Sequence, residues 1–152
     1  MLTPEENERF TRTGPETPCG KLLRHYWQPV APKQKLVEER VMPIRLYGED
    51  LVLFLDDKGQ MGLVGDRCAH RLVKLACGYP TDKGIKCPYH GWTYDTQGQC
   101  VDQPGEPQDS KFKDKVRIPS YPVQELAGIV FAYLGPKDRP VPLLPRWDRL
   151  VW

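Results

Sequence analysis

Two short motifs constrain this chain more than anything else in it. Cys68-Ala69-His70 and Cys87-Pro88-Tyr89-His90 each place one thiol and one imidazole within reach of a common point. Sixteen residues, Arg71 to Lys86, separate them, enough for a hairpin that sets two loops side by side. With Cys 5 and His 3 in 152 residues, a Cys-x-His pair arises by chance roughly 0.1 times, and Cys-x2-His equally often. The two together are expected in about one such chain in a hundred, so any fold must first satisfy this pairing.

The rest of the chain reads as short strands and turns. Gly 13 and Pro 16 are high counts for this length. Proline removes an amide donor and glycine raises the cost of ordering, so long helices are not expected. Residues 1 to about 20 read as an extended arm, and Lys21 to Trp27 as a turn or two of helix ended by Pro29. From Val41 the text is strand-like, with Ile44, Leu46, Leu51, Leu53 and Leu55, a turn at Asp56 to Gly59, and Met61 to Val64 beyond it. Trp92-Thr93-Tyr94 with a Gln97-Gly98 bend adds another strand. Ser120 to Leu126, Ala127-Gly128 and Ile129 to Leu134 read as a closing hairpin. The expected class is all-β, an antiparallel sandwich or barrel carrying a small subdomain formed by two loops.

Two stretches read as connections. Asp102 to Asp114 is a polar excursion between strands. Pro136 to Pro145 holds four prolines in ten residues, a stiff linker whose far end is missing. The expected organisation is an arm at 1–26, one domain at 27–135 and a proline-rich linker at 136–152 leading to an absent domain.

A net charge of +2 gives no electrostatic case for nucleic acid or a membrane surface. The start is acidic and polar, unlike a secretory signal, and the apolar run Leu51 to Leu55 falls far short of the ~20 residues that span a bilayer. Five cysteines, an odd number, argue against a secreted disulfide framework and for a reducing cytoplasm. No G-x-G-x-x-G fingerprint is present, so direct NADH binding is not expected.

Two thiols and two imidazoles suit either a tetrahedral zinc or a [2Fe–2S] cluster with cysteines on one iron and histidines on the other. Each loop supplies one of each, which suits a two-iron rhomb gripped from both sides. Ordinary roles are expected for the remaining candidates. Cys19, Cys77 and Cys100 read as small buried hydrophobes, and His25 as a packed or surface residue. Tyr94, Phe131 and Tyr133 read as strand packing, and Trp92 as core filling or part of the metal site's shell. The basic run Lys111 to Arg117 reads as a solvated face, with docking of a redox partner as the alternative.

Cys68-Ala-His-Arg71, the sixteen-residue spacer and Cys87-Pro-Tyr-His-Gly-Trp-Thr-Tyr-Asp95 with Gly98 together resemble a Rieske iron–sulfur domain. The His-Arg and His-Gly-Trp forms resemble the oxygenase component of aromatic-ring-hydroxylating oxygenases. Leu2 to Glu8, Arg24 to Val30, Gly48 to Phe54, Tyr121-Pro-Val and Ala132 to Gly135 are similar to the phthalate dioxygenase group. The resemblance implies one [2Fe–2S] cluster, with Cys68 and Cys87 on an inner iron and His70 and His90 on an outer one. Arg71 and Trp92 would tune it from the shell. Leu72 stands where many relatives have glycine, and Lys74 where a neutral residue is common. Val73 and Tyr89 stand where respiratory Rieske proteins carry extra cysteines, so no disulfide is expected to brace the loops.

The resemblance further implies a one-electron relay domain taking electrons from a reductase or ferredoxin and passing them to an oxygenase catalytic domain, in an assembly that allows a homo-oligomer. The family's second, mononuclear iron needs two histidines and a carboxylate, and only His25 remains, so none is expected in this chain. A stand-alone Rieske ferredoxin and a structural zinc module are the alternatives.

Overall fold

The apolar run in the middle of the chain dictates the layering. The computed structural model describes residues 1–107 and 109–146. In chain order the first elements are α1 (Pro4–Thr11), α2 (Pro18–Leu23), β1 (Gln28–Pro32), α3 (Lys33–Glu39), β2 (Val41–Leu46), β3 (Glu49–Leu55) and β4 (Met61–Gly65). They are followed by β5 (Tyr79–Thr81), β6 (Gly84–Lys86), β7 (Thr93–Tyr94) and β8 (Cys100–Asp102). The last are β9 (Ser120–Tyr121), β10 (Val123–Leu126) and β11 (Ile129–Ala132).

These strands make three antiparallel sheets, ordered β2-β3-β4-β9, β1-β11-β10 and β5-β6-β7-β8. Strand β3 belongs to the first and is buried on both faces. Successive side chains of a strand point to opposite sides. Val52 and Phe54, with Val64 of β4, therefore enter one core together with Cys68, Cys87 and Tyr94. Leu51, Leu53 and Leu55, with Leu63, enter a second core with Leu36, Val130 and Ala132. The β2–β4 sheet is thus a shared wall, with the small β5–β8 sheet over one face and α3 with β1 and β11 over the other. A strand covered on both faces reads as a continuous apolar run, which is what Leu51 to Leu55 is.

The all-β antiparallel expectation holds, but no sheet closes into a barrel among the described residues. Each sheet has three or four short strands, too few to curl round on themselves, so the layers stack instead. The hairpins β3–β4 and β10–β11 fall where the sequence places them, and the structure adds a β2–β3 hairpin that turns at Tyr47-Gly48. The β10–β11 hairpin turns at Ala127-Gly128, both at positive φ (52° and 79°), the backbone of a two-residue hairpin loop.

One expectation needs correction, and two elements lie beyond the sequence reading. The arm is not extended through residue 20, because α1 and α2 lie within it. Thr3 caps α1 reciprocally with Glu6, Thr17 caps α2, and Pro4 and Pro18 stand at the first helical position, where the missing amide costs nothing. Proline there starts a helix rather than breaking one. Helix α3 stands between β1 and β2, where the sequence shows no helical pattern. It anchors itself through a single fully buried side chain, Leu36, which leaves too weak a periodic pattern to read. Strand β1 carries Pro29 and Pro32 yet pairs with β11, with an irregularity between Pro29 and Ala31. An edge strand can lose those donors without breaking its sheet.

After β11 the backbone is irregular. Trp27 Nε1 donates to the Pro142 carbonyl at 2.9 Å and Trp27 packs against Tyr133 at 5.7 Å, which ties this segment back to the domain. Residues 147–152 of the expected linker lie outside the described residues. No helix among the described residues is long and apolar enough to cross a membrane.

Candidate metal centre

Both Cys/His motifs sit where short strands give way to loops. The first follows β4. Asp66 is buried, and its carboxylate accepts from the Ala76 amide at 2.8 Å while its carbonyl accepts from Leu75 at 2.7 Å. Those bonds close the loop's base. Its tip turns on Leu72 N–H to Cys68 carbonyl at 2.9 Å and Cys68 N–H to Val73 carbonyl at 3.0 Å. Leu72 holds φ 57°, in the left-handed region, where a glycine would be unstrained. Arg67 donates to the Leu72 carbonyl at 3.2 Å and steadies that turn.

The second motif joins β6 to β7. Cys87 N–H donates to the Trp92 carbonyl at 2.8 Å, and Gly91 N–H to the Cys87 carbonyl at 3.1 Å. Gly91 sits at φ 75°, and a Cβ there would meet Lys86 Cε and Pro104 Cγ, both at 3.1 Å. Only glycine turns this loop without strain.

The loops face each other with their donors sorted by depth. The Cys68 and Cys87 side chains are buried in the core, at 1% and 3% exposure. His70 and His90 stand exposed at the rim with ring centroids 4.5 Å apart. Between the loops lies a narrow cavity lined by both cysteines, both histidines, Arg71, Val73, Tyr89 and Trp92. Burial, above all, pushes the Cys87 thiol up from its ordinary pKa, and its neighbour Cys68 adds to that. Lost solvation first, then His70 and Arg71, holds His90 below the usual histidine range, which favours the neutral imidazole that a metal needs.

The flanking residues fall into place around this pair of pairs. Trp92 stacks flat on His70, at 4.7 Å and 9°. Tyr89 lies against His90 at 3.8 Å. Arg71 is exposed and lines the cavity. His25 is exposed on the arm, outside the cavity's lining. Among the leftover cysteines only Cys100 is buried. Its thiol is pushed up to about 11, first by burial. Cys19 is half-buried and Cys77 exposed, which corrects the expectation of buried hydrophobes for these two. The short turn Leu75–Cys77 buries Leu75 and thereby turns Cys77 outward.

Tyr94 is more than the strand packing expected of it. Fully buried on β7, its hydroxyl accepts from the Ala69 amide at 3.0 Å and lies 3.3 Å from Cys68 Sγ. A signal was available: a buried tyrosine needs a partner for its hydroxyl, and this one follows His90 by four residues. Burial raises its pKa well beyond the ordinary range, with the Cys68 contact second, so the hydroxyl keeps its proton.

Chemically, the arrangement is two soft donors in an apolar recess and two borderline ones at its mouth. Two pairs at different depths fit a binuclear group with sulfur at one end and nitrogen at the other better than one tetrahedral ion.

The comparisons with known proteins agree with this geometry. The family described as Rieske [2Fe-2S] domain matches residues 26–122. The chain is 44% identical to the 5,5'-dehydrodivanillate O-demethylase oxygenase subunit of Sphingobium sp. strain SYK-6, over 100% of this chain and 36% of that protein. It is 39% identical to the phthalate 4,5-dioxygenase oxygenase subunit of Pseudomonas putida, over 97% of this chain and 34% of that one. Among solved structures, Pseudomonas putida CBB5 NdmA with caffeine superposes with a TM-score of 0.67 at 34% identity, over 74% of this chain and 33% of that chain. The chain spans about a third of the length of the curated relatives it matches.

Proposed function

This chain belongs to the family of Rieske [2Fe-2S] domains, and from that premise we propose that it relays single electrons within an aromatic-ring-hydroxylating oxygenase. The observation that carries the reading is the sorting of donors around one cavity, buried thiols beneath and exposed imidazoles above. Cys68 and Cys87 would hold the inner iron of one cluster, and His70 and His90 the outer iron. A [2Fe–2S] cluster held this way supplies a one-electron store whose potential is raised because two ligands are neutral imidazoles rather than thiolates.

The chain's own residues do the rest. The core around Cys68, Cys87 and Leu75 excludes water from the sulfur end. With Cys68 as a ligand thiolate, the Tyr94 hydroxyl would donate to its Sγ, 3.3 Å away. Trp92 fixes the plane of His70, and Arg71 adds positive charge beside His90. The exposed imidazole edges give partners short access.

The same reading divides the chain into an arm at 1–26, the Rieske domain at 27–135 and a linker at 136–152. It takes a reductase or ferredoxin as donor, an oxygenase catalytic domain as acceptor, and a cytoplasmic setting, which the five free cysteines favour. With His25 alone left over, these 152 residues pass electrons without hydroxylating an aromatic ring themselves.

Metal and sulfide analysis with electron paramagnetic resonance tests the reading. The expected result is a red-brown protein with two irons and two acid-labile sulfides per chain, paramagnetic after one-electron reduction. A colourless protein holding one zinc overturns it.

A further inference from the structure

The excursion between β8 and β9 has a feature that the relay reading leaves unused. Lys111, Lys113, Lys115 and Arg117 fall within seven residues, against Asp114 alone. Lys111, Lys115 and Arg117 are exposed, and none of the four joins an ion pair among the described residues. In their midst Phe112 keeps 49% of its surface exposed. Its ring meets Trp92 edge-on at 6.1 Å and 77°, and Trp92 stacks on His70. A partner touching Phe112 therefore reaches a candidate iron ligand through one indole.

The patch is held rigid from beneath. The Gln99 side-chain amide donates to the Lys113 carbonyl at 2.9 Å and the Val116 carbonyl at 3.1 Å. Cys100 N–H donates to the Val116 carbonyl at 3.0 Å, and Lys115 N–H to the Phe112 carbonyl at 3.0 Å. Lys86, whose side chain lies against Gly91, and Arg71 extend the positive charge toward the histidines. A nucleic acid would use the cations but would have no need of the Phe112–Trp92–His70 contact.

Resting on the relay reading, we infer that this patch docks the electron donor, a small acidic [2Fe–2S] protein, with Phe112 at the point of contact. One electron leaves the donor's reduced cluster and enters this chain's centre, with no bond made or broken. Unpaired cations set in one rigid loop attract an acidic surface and orient it. The aromatic contact then shortens the path to His70.

The test uses the cluster-loaded chain and a reduced plant-type ferredoxin as probe, in stopped-flow and in calorimetric titration. Iron content and visible spectrum are recorded first. The wild-type second-order rate constant should fall as salt rises. Replacing Lys111, Lys113 and Lys115 together by Gln should slow reduction and weaken binding roughly tenfold at low salt, and flatten the salt dependence. Photoreduction by neutral deazaflavin and the midpoint potential should stay unchanged. Phe112→Leu should slow the limiting rate several-fold and Phe112→Trp restore it, whereas Lys33→Gln with Lys35→Gln, on α3, should change nothing. A triple variant that binds ferredoxin and takes electrons at the wild-type rate overturns the docking proposal, as does a patch that binds heparin while ferredoxin transfer ignores it. A chain that assembles no [2Fe–2S] cluster overturns the relay reading, and the docking proposal with it.

Discussion

Tyr94 links the two Cys/His loops, with its hydroxyl on the first and its backbone beside the second. It accepts from the Ala69 amide in the first loop and stands within reach of Cys68 Sγ, while its backbone belongs to the strand that follows the second. A hydrogen bond to a ligand sulfur withdraws negative charge and favours the reduced centre. If that bond is worth about 1 kcal/mol more in the reduced state, Tyr94→Phe lowers the midpoint potential by roughly 40 mV, since 59 mV is a factor of ten for one electron. The variant should keep two irons per chain, and redox titration gives the shift. An unchanged potential would mean that the hydroxyl bonds only to the backbone. Gly91 makes a contrasting case, since its role is conformational. Gly91→Ala puts a Cβ at 3.1 Å from Lys86 and Pro104 in a left-handed backbone, which costs about 1–2 kcal/mol. Faster loss of iron during incubation with a chelator is the expected consequence, with visible absorbance as the measure.

Among the elements, burial separates helices that look alike in sequence. Helix α1 has a full capping box but no buried residue. Thr3→Ala removes its cap at a local cost of about 1 kcal/mol, so α1 should fray while the global melting temperature stays put. Amide exchange across residues 4–11 against a thermal melt resolves the two. Helix α3 has no side-chain cap at all, yet Leu36 is fully buried against the second core. Leu36→Ala should cost about 2–5 kcal/mol in denaturant unfolding, the range for a large-to-small change in a packed core. The caps of α1 and α2 were in the text as Thr-Pro pairs. Proline breaks a helix interior but starts a helix when it stands at the first turn, as Pro4 and Pro18 do.

At the scale of the whole molecule, one polar network ties the arm to the central sheet. Arg24, buried at 9% exposure, pairs with Glu49 at the start of β3, and the Tyr121 hydroxyl of β9 donates to the same carboxylate at 2.6 Å. Burial first, then Glu49, pushes the Tyr121 pKa up to about 12. An acid whose folded pKa lies above its unfolded value near 10 contributes stability that is whole below pH ~10 and lost as pH climbs through the folded value. Chemical denaturation midpoints should therefore decline between about pH 10 and 12. Tyr121→Phe should flatten that part of the decline relative to wild type, and equal slopes in the two proteins would show that the network does not sense the tyrosine's charge.

The sequence by itself determined the paired Cys/His motifs, the antiparallel class, and the hairpin turns at Asp56 to Gly59 and Ala127-Gly128. Those are local facts: a donor's chemistry, a period of two along a strand, and a two-residue turn such as Ala127-Gly128 are all written in neighbouring residues. Cys68, His70, Cys87 and His90 were legible as a candidate set because thiol and imidazole are scarce in this chain and their spacing is short within each loop. Tertiary structure alone decided the rest, because it depends on which distant surfaces meet. It put the alternate residues of β3 into two different cores, turned Cys77 outward while burying Cys100, and paired a proline-bearing β1 with β11. It also aimed the Tyr94 hydroxyl at a sulfur 26 residues away in the chain. Such contacts arise from packing across sheets, and no window of local sequence contains both partners.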